Sequence, residues 1–433
     1  MRESRIDFAD SRALQAESLR TREAALLDRR LLLQGSAVLG GLSLLGLGGC
    51  ATEQVPAAAE DQRLGPAPLD PKDPARSLAP LRARTDRIFD ITVCPRPFRA
   101  AGPRLDTEQL GTTLVVHNYG HGGSGWSLSW GSSAVAVHKA MASSPRKVAV
   151  IGCGALGLTS AILAQQAGAE VTIYARDLLP ETPSARATGS WTPDSRIALG
   201  NAVDPGFPAL WEEMARTSFK TYRRYLGLPG DPVAWYDRYF LSDNPPPGGV
   251  SRPPGHTSLP FAHYYGRIRD LTPLSETLPA RDTPFPTDNV RRQTSLMFNI
   301  ANYAHTLMAD FRLAGGKIQR TAFHEPADLT RLKEKVVINC PGYGGRALWR
   351  DESIVPVRGQ IAWLIPQPEV TYGLLYRGVS VVPRRDGIVV QAVEGGDMKG
   401  YDDDSETPDR AEAENAVNTL AELYARFGRR ASG

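Results

Sequence analysis

Three glycines carry the first chemical expectation. Gly152, Gly154 and Gly157 punctuate the run K-V-A-V-I-G-C-G-A-L-G-L-T-S-A-I-L-A-Q-Q-A-G-A-E-V-T-I-Y-A-R-D from Lys147 to Asp177. An apolar strand enters them, an amphipathic helix leaves them, and a second strand at Val171 to Tyr174 follows at βαβ spacing. In such a turn the first glycine allows the tight bend, the second lets backbone approach a pyrophosphate, and the third lets the helix pack on the sheet. Ala155 and Leu156 open that helix, whose positive end faces phosphate charge. The spacing predicts a dinucleotide site; without its strand and helix it would be an ordinary α/β turn.

A second glycine loop lies upstream, in L-V-V-H-N-Y-G-H-G-G-S-G-W-S-L-S-W-G from Leu114 to Gly131. A strand enters it and a helix from about Ser127 to Met141 leaves it. Backbone N–H groups of Gly122, Gly123, Ser124, Gly125, Trp126 and Ser127 gather at that helix start, an anion-stabilising arrangement suited to the carbonyl edge of a flavin. His117 and His121 have the chemistry of metal ligands, but with no carboxylate or further histidine beside them in sequence the expectation is structural hydrogen bonding and no metal. Upstream again, D-I-T-V-C-P-R-P-F-R-A-A-G-P-R at Asp90 to Arg104 brackets Arg96 between two prolines, which fix the backbone around it. A lone arginine of this kind is more commonly an exposed basic edge than a ligand. Arg176, at the end of the second strand, could instead favour the 2′-phosphate of NADP, but the upstream loop has no role in that reading.

The elements that must position these residues come from a chain of 433 residues, long enough for two domains, with 42% hydrophobic and 22% charged residues. A net charge of +3 is too small to argue for nucleic acid. Arg20, Arg22, Arg29 and Arg30 precede an apolar, glycine-rich run from Leu31 to Gly49 that ends at Cys50, the order of an export signal. D-R-R-L-L-L-Q resembles a twin-arginine translocation signal and L-G-G-C a lipoprotein processing box. The run is long enough to reach across a bilayer, yet its glycines suit a permanent span poorly. Cleavage before Cys50 and lipidation of its thiol are expected, leaving an exported, periplasmic protein whose membrane contact is that lipid alone. Residues 51–85 read as a flexible tether. Cys94, Cys153 and Cys340 show neither metal nor disulfide spacing. Further along, helices are expected around Trp211 to Leu226, Phe298 to Gly315 and Arg410 to Phe427, the last on the surface. Strands are expected at Lys317 to Ala322, Val336 to Cys340 and Pro356 to Leu364, and Met398 to Glu406 reads as a solvated acidic loop.

H-N-Y-G-H-G-G-S-G-W-S-L-S-W-G closely resembles the signature of the D-amino-acid oxidase family, and C-P-R-P-F-R-A-A-G-P-R-L-D the segment just before it. In that family both follow the dinucleotide unit; here they precede it. The resemblance therefore implies a circular permutation, with Ala142 to Arg146 as the join and Ser432 near the new cut. It also implies that the strand Thr113 to Val116 shares a sheet with Val148 to Ile151, and that Met141 and Lys147 are close in space. A-R-D-L-L-P-E-T-P-S-A-R-A-T-G-S-W, from Ala175, matches the stretch that holds the cofactor. By that match Arg176 and Asp177 hold ribose and phosphate, Ser184, Thr188, Gly189 and Ser190 hold the middle and ring of FAD, and Ala322 lies against adenine. Pro341 stands where the family has a hydroxyl residue. Y-R-G-V-S-V-V-P-R resembles the active-site tyrosine pair, with Tyr376 as the first and Ser380 in place of the second.

What the resemblance implies is an α/β chain, with a Rossmann-type FAD-binding domain (114–200 and 298–348) and a mixed-sheet α+β substrate domain (86–113, 201–297 and 349–433), behind a signal (1–50) and tether. Its implied activity is oxidative deamination of D-amino acids to 2-oxo acids, ammonia and H2O2, by hydride transfer to flavin N5 with O2 as acceptor. Arg96, Tyr376 and Gly123 are the implied catalytic residues. A membrane-associated flavin dehydrogenase of another amine or imino acid, and a catalytically inactive FAD-containing lipoprotein, are the rival readings.

Overall fold

The computed structural model describes residues 78–243 and 259–427. The signal, Cys50, the tether up to residue 77, the proline-rich loop from Asn244 and Ser432 lie outside them. Among the described residues no helix is long and apolar enough to cross a membrane.

In chain order the strands are β1 (Ile88–Arg99), β2 (Thr107–Leu110), β3 (Thr113–His117), β4 (Lys147–Ile151), β5 (Glu170–Ala175), β6 (Val233–Ser242), β7 (Glu276–Leu278), β8 (Asn289–Phe298), β9 (Lys317–Arg320), β10 (Val336–Asn339), β11 (Ile354–Leu364), β12 (Gly373–Tyr376), β13 (Val379–Arg384) and β14 (Gly387–Ala392). The main helices are α1 (Gly125–Ala140), α2 (Ala155–Gln166), α3 (Phe207–Tyr222), α4 (Ile300–Leu313) and α5 (Arg410–Ala425).

Six strands form one sheet in the order β2-β3-β10-β4-β5-β9. All its pairs are parallel except β2 with β3, a tight hairpin. Parallel strands bury both faces, and the strands read accordingly. Val148, Val150 and Ile173 pack under α1, α2 and α4, while Ala149, Val337 and Ile151 pack with Leu329 on the other face. β3 and β4 thus share a sheet, with β10 between them, and α1 leads through residues 141–146 directly into β4. The chain runs from β4 outward to β5 and returns on the other side at β10. The carboxyl end of β4 is therefore a topological switch point, where open α/β sheets bind ligands.

The other eight strands form a mixed sheet in the order β1-β11-β14-β13-β12-β6-β8-β7. β1 is its edge, the place where prolines are tolerated. Pro97 pairs with Pro356, and Arg358, opposite Pro95, sends its N–H to the Gly400 carbonyl instead of to β1. Both prolines thus occupy positions that the ladder leaves unbonded. β11 and β14 pair over three residues only, Ala362 to Leu364, before they part.

Four local expectations differ from the structure. β2, expected with the substrate segment, is an edge of the six-stranded sheet because Leu110 and Thr113 close its hairpin onto β3. α3, also expected there, lays Trp211, Met214, Phe219 and Tyr222 into the helical core, where Ser218 accepts the Gly131 amide at 2.8 Å. The tether ends earlier: Leu81 and Ala83 are buried, and Gln367 and Tyr372 donate to the carbonyls of Pro80 and Ala79. Finally, α5 is no mere surface helix. Capped by Asp409, it buries Val417, Leu420 and Leu423 against the eight-stranded sheet.

Candidate functional site

The glycine turn after β4 is built by close approach. Gly152 has φ +95, and a Cβ there would run into the Cys340 carbonyl. A Cβ on Gly157 would overlap the carbonyl of Gly152, which fixes how closely α2 approaches the turn. Gly154 lies against Ser184, whose hydroxyl accepts the Ala155 amide at 3.1 Å. The carbonyl of Ser184 accepts the Trp126 indole N–H at 2.8 Å. The N-termini of α1 and α2 therefore meet at Ser184. Two helix ends at one point make a strongly positive backbone site.

The upstream loop is more fully used than its sequence suggests. The N–H groups of Gly122 and Gly123 go to the carbonyls of Pro97 and Ser195, that of Ser124 goes to His121, and the Ser124 hydroxyl also donates to Ser195. Gly123, expected to act in catalysis through this loop, thus has no amide donor left. The first-turn amides of Gly125, Trp126 and Ser127 remain, as they must at any helix start, and the Ser127 hydroxyl accepts from the Thr192 amide. His121 is almost wholly buried. Ser132 donates to Asn118 and so takes the Nε2–H of His121, which leaves Nδ1 without a partner among the described residues. Burial drives this imidazole down to about 3, so it is neutral. His117 accepts from Asn339 and donates to Glu108, a carboxylate brought in by β2 that adjacency in sequence did not reveal. Among the described residues no group of three His, Cys, Asp or Glu is placed to hold a metal ion.

Residues 184–190 run beneath one face of the eight-stranded sheet. Gly189 accepts the Phe298 amide, Ser190 bridges Met297 and lies 3.5 Å from the Tyr236 hydroxyl, and Ala187 accepts from Arg384; Thr188 lies within this strip. Arg176 and Asp177 pair with each other at the end of β5. The Thr321 amide donates to Ala175, which brings exposed Ala322 beside them.

The sheet face above that strip carries Arg96. The register places Arg96, Ile361, Trp363, Gln391 and Ser380 on this face. Arg96 lies directly on Gly359, where a Cβ would collide with its guanidinium, and it donates to the Arg358 carbonyl at 3.2 Å. It lines a cavity of about 600 Å³ in the fork where β11 and β14 part, with Arg196, Arg358, Gln391 and Lys399. No described carboxylate lies within ion-pair distance of Arg96. Arg196 has φ +49 and ties down the 396–397 turn through the Gly396 and Asp397 carbonyls. Burial, then the neighbouring Arg96 charge, holds it down to about 10. The acidic loop expected to be solvated supplies Lys399, Gly400, Asp403 and Ser405 to the cavity wall.

Tyr376 is not brought to this cavity. It pairs with Val379 and stands on the opposite face of the sheet, fully buried in the core with α5. Its hydroxyl donates to Asp243 and accepts from Arg426, both at 2.8 Å. Strand alternation decides this: Ser380 and Tyr376 lie on opposite faces. Ser380 accepts from Arg238 at 3.0 Å.

Residues 147–432 match the FAD dependent oxidoreductase family. The chain belongs to that family. D-amino-acid oxidase from Streptomyces coelicolor is 28% identical over 50% of this chain and 58% of its own length. D-amino-acid oxidase from Dictyostelium discoideum is 25% identical over 49% and 55%. The chain thus spans little more than half the length of these curated relatives. Among solved structures, L-proline dehydrogenase from P. horikoshii is similar, with TM-score 0.44 and 12% identity, over 66% of this chain and 77% of that one.

The site of this FAD dependent oxidoreductase fits its cofactor on its own geometry. The Gly152 turn leaves no room for side chains, and two helix N-termini at Ser184 face a place for diphosphate. The 184–190 strip then leads under the Arg96 face. Arg96, Gly154 and the upstream loop are brought together, since Pro97, next to Arg96, accepts the Gly122 amide. Sequence reasoning missed Arg196, Gly359 and Gln391: the two strand residues acquire their places only through register between strands far apart in the chain, and Arg196, in a loop, through its bonds to the 396–397 turn.

Proposed function

We propose that this protein oxidises D-amino acids to 2-oxo acids, ammonia and H2O2, with O2 as electron acceptor. The observation that carries this reading is Arg96: a guanidinium with no described carboxylate within ion-pair distance, beside a second arginine, in a cavity between β11 and β14. Two cations held close together disfavour each other; Asp397, 3.6 Å from Arg196, offsets part of this, and an anion entering beside Arg96 relieves the rest. A substrate carboxylate suits Arg96, whose planar fork offers parallel charge-assisted bonds. Gly359 lets that fork lie flat on β11, and the Arg358 carbonyl sets its rotation. FAD, when bound, supplies the hydride acceptor. The protein's part is to hold the carboxylate, orient the α-carbon and keep water from the fork between β11 and β14.

Peroxide formation with a panel of D-amino acids tests the reading. Peroxide from at least one D-amino acid, absent with its L-isomer, is expected. Amine oxidation that reduces a quinone acceptor but not O2 would favour the dehydrogenase, and a yellow protein inert to every amine would favour the binding lipoprotein.

Two further proposals concern the whole chain. The first is that it is a circular permutation of its relatives. Its support is that the family match begins at Lys147, the first residue of β4, while β3 and its loop, which precede the match, lie in the same sheet. The second is export through the arginine pair with lipidation at Cys50, supported by the sequence of residues 20–50.

A further inference from the structure

We propose that the Gln391 side-chain amide is a substrate-carboxylate ligand, acting beside Arg96 in place of the missing second tyrosine. The inference rests on the reading of the Arg96 cavity as the substrate site.

Three observations lead to it. Gln391 lines the cavity with Arg96, and the register sets both on the same sheet face. Its residue is only 9% exposed and belongs to the cavity wall. An amide at a cavity wall can bond an acceptor that enters the cavity, and a bond to a charged acceptor is the stronger kind. Ser380, the residue that replaces the tyrosine, does not fill that role: its hydroxyl is held by Arg238 and it does not reach the cavity wall. Ser380 is, however, the cross-strand partner of Gln391. A small residue at 380 leaves free the space over β13 that an aromatic ring would occupy, and the neighbouring side chain on β14 stands beside it.

The wall also sets the sense of the bond. Lys399 is paired with Glu412 at 2.8 Å and Arg196 lies 3.6 Å from Asp397, whereas Arg96 has no described carboxylate within ion-pair distance. The end of the ligand that meets Arg96 is therefore anionic, and the Gln391 amide meets it as an N–H donor. An amide holds its proton at every working pH, so this contact is present wherever the substrate carboxylate is ionised.

The test uses the FAD-loaded protein and propionate, a carboxylate that cannot be oxidised at an amino-bearing carbon, titrated through the change in flavin absorbance. Gln391→Leu, close in volume, should weaken propionate binding about 10- to 100-fold, the range of one bond to a charged group. It should raise KM for D-amino acids by a similar factor, with kcat changed less than threefold. Gln391→Glu should weaken both more severely, since it sets a carboxylate against a carboxylate, and Gln391→Asn should restore part of the loss. Flavin content and thermal midpoint check that each variant is folded. If Gln391→Leu binds propionate as the parent does while Arg96→Leu does not, Gln391 is only a wall of the cavity and the proposal falls. If Arg96→Leu is also unaffected, the reading of the cavity as the substrate site fails first, and this proposal fails with it.

Discussion

Arg96 owes its place to a residue with no side chain. Its guanidinium rests on Gly359, so a methyl group there should act on the substrate without touching it. Gly359→Ala is expected to raise KM about tenfold or more while leaving FAD in place, because the fork must tilt off its plane. Arg96→Lys keeps the charge and loses the paired geometry, so KM should rise about 10- to 100-fold, and Arg96→Leu should nearly abolish turnover. Steady-state kinetics with flavin content measured alongside decide it: parental kcat/KM in Arg96→Leu would make this a structural arginine. His121 makes a separate prediction, about stability. Its folded value, about 3, lies below the ordinary 6.5, so on acidification the unfolded chain takes up a proton that the folded chain refuses. Stability from this residue is complete above about pH 6.5 and is lost as pH falls toward 3, at about 1.4 kcal/mol per pH unit. Urea unfolding at pH 7 and pH 5 should show that His121→Asn removes this slope. An unchanged slope would assign the acid sensitivity to carboxylates.

The turn between β4 and α2 is the element whose role was most legible before the structure. Its glycines, flanking strand and helix all act within thirty residues, and each close approach is local: Gly157 against Gly152, Gly154 against Ser184. Gly157→Ala should therefore expel the cofactor, since the helix cannot seat on the turn; a colourless protein with unchanged far-ultraviolet circular dichroism is expected, and a fully yellow one would contradict it. Tyr376 shows where sequence reading stops. Its distance from Ser380 was correctly seen, but which face of β12 it occupies depends on the turn at Arg377 and Gly378, whose backbones both have positive φ, +43 and +71. A local match of residue types cannot reveal that alternation. Gln391, Arg196 and Gly359 were hidden for a related reason: the cavity exists only because β11 and β14 separate after three pairs, and nothing in either strand's own residues announces the parting.

At the scale of the whole molecule, two predictions concern the order of the chain and its destination. If the permutation is real, a gene that moves residues 86–141 behind residue 427 through a short flexible linker should yield a folded, FAD-containing protein with the same substrate profile. Insoluble product with every linker tried would argue that the present order is essential. Replacing Arg29 and Arg30 by lysine should leave folded flavoprotein in the cytoplasm, measured by cell fractionation; unimpaired export would point to another route. The pairing of β1 with β11 also has a consequence in time. Arg96 and its partner Val357 are 261 residues apart, so during synthesis at about 5–20 residues per second the β1 segment waits on the order of 10 to 50 s for its neighbour. Arg96, the proposed carboxylate ligand, is thus made early and placed late, and the two prolines that flank it keep a waiting strand from recruiting another chain. The reordered gene would place β1 soon after β11 but would put most of the chain between α1 and α2, which are neighbours in the present order, so it should refold from denaturant more slowly. Equal refolding rates in the two orders would show that another step, such as cofactor capture, sets the pace.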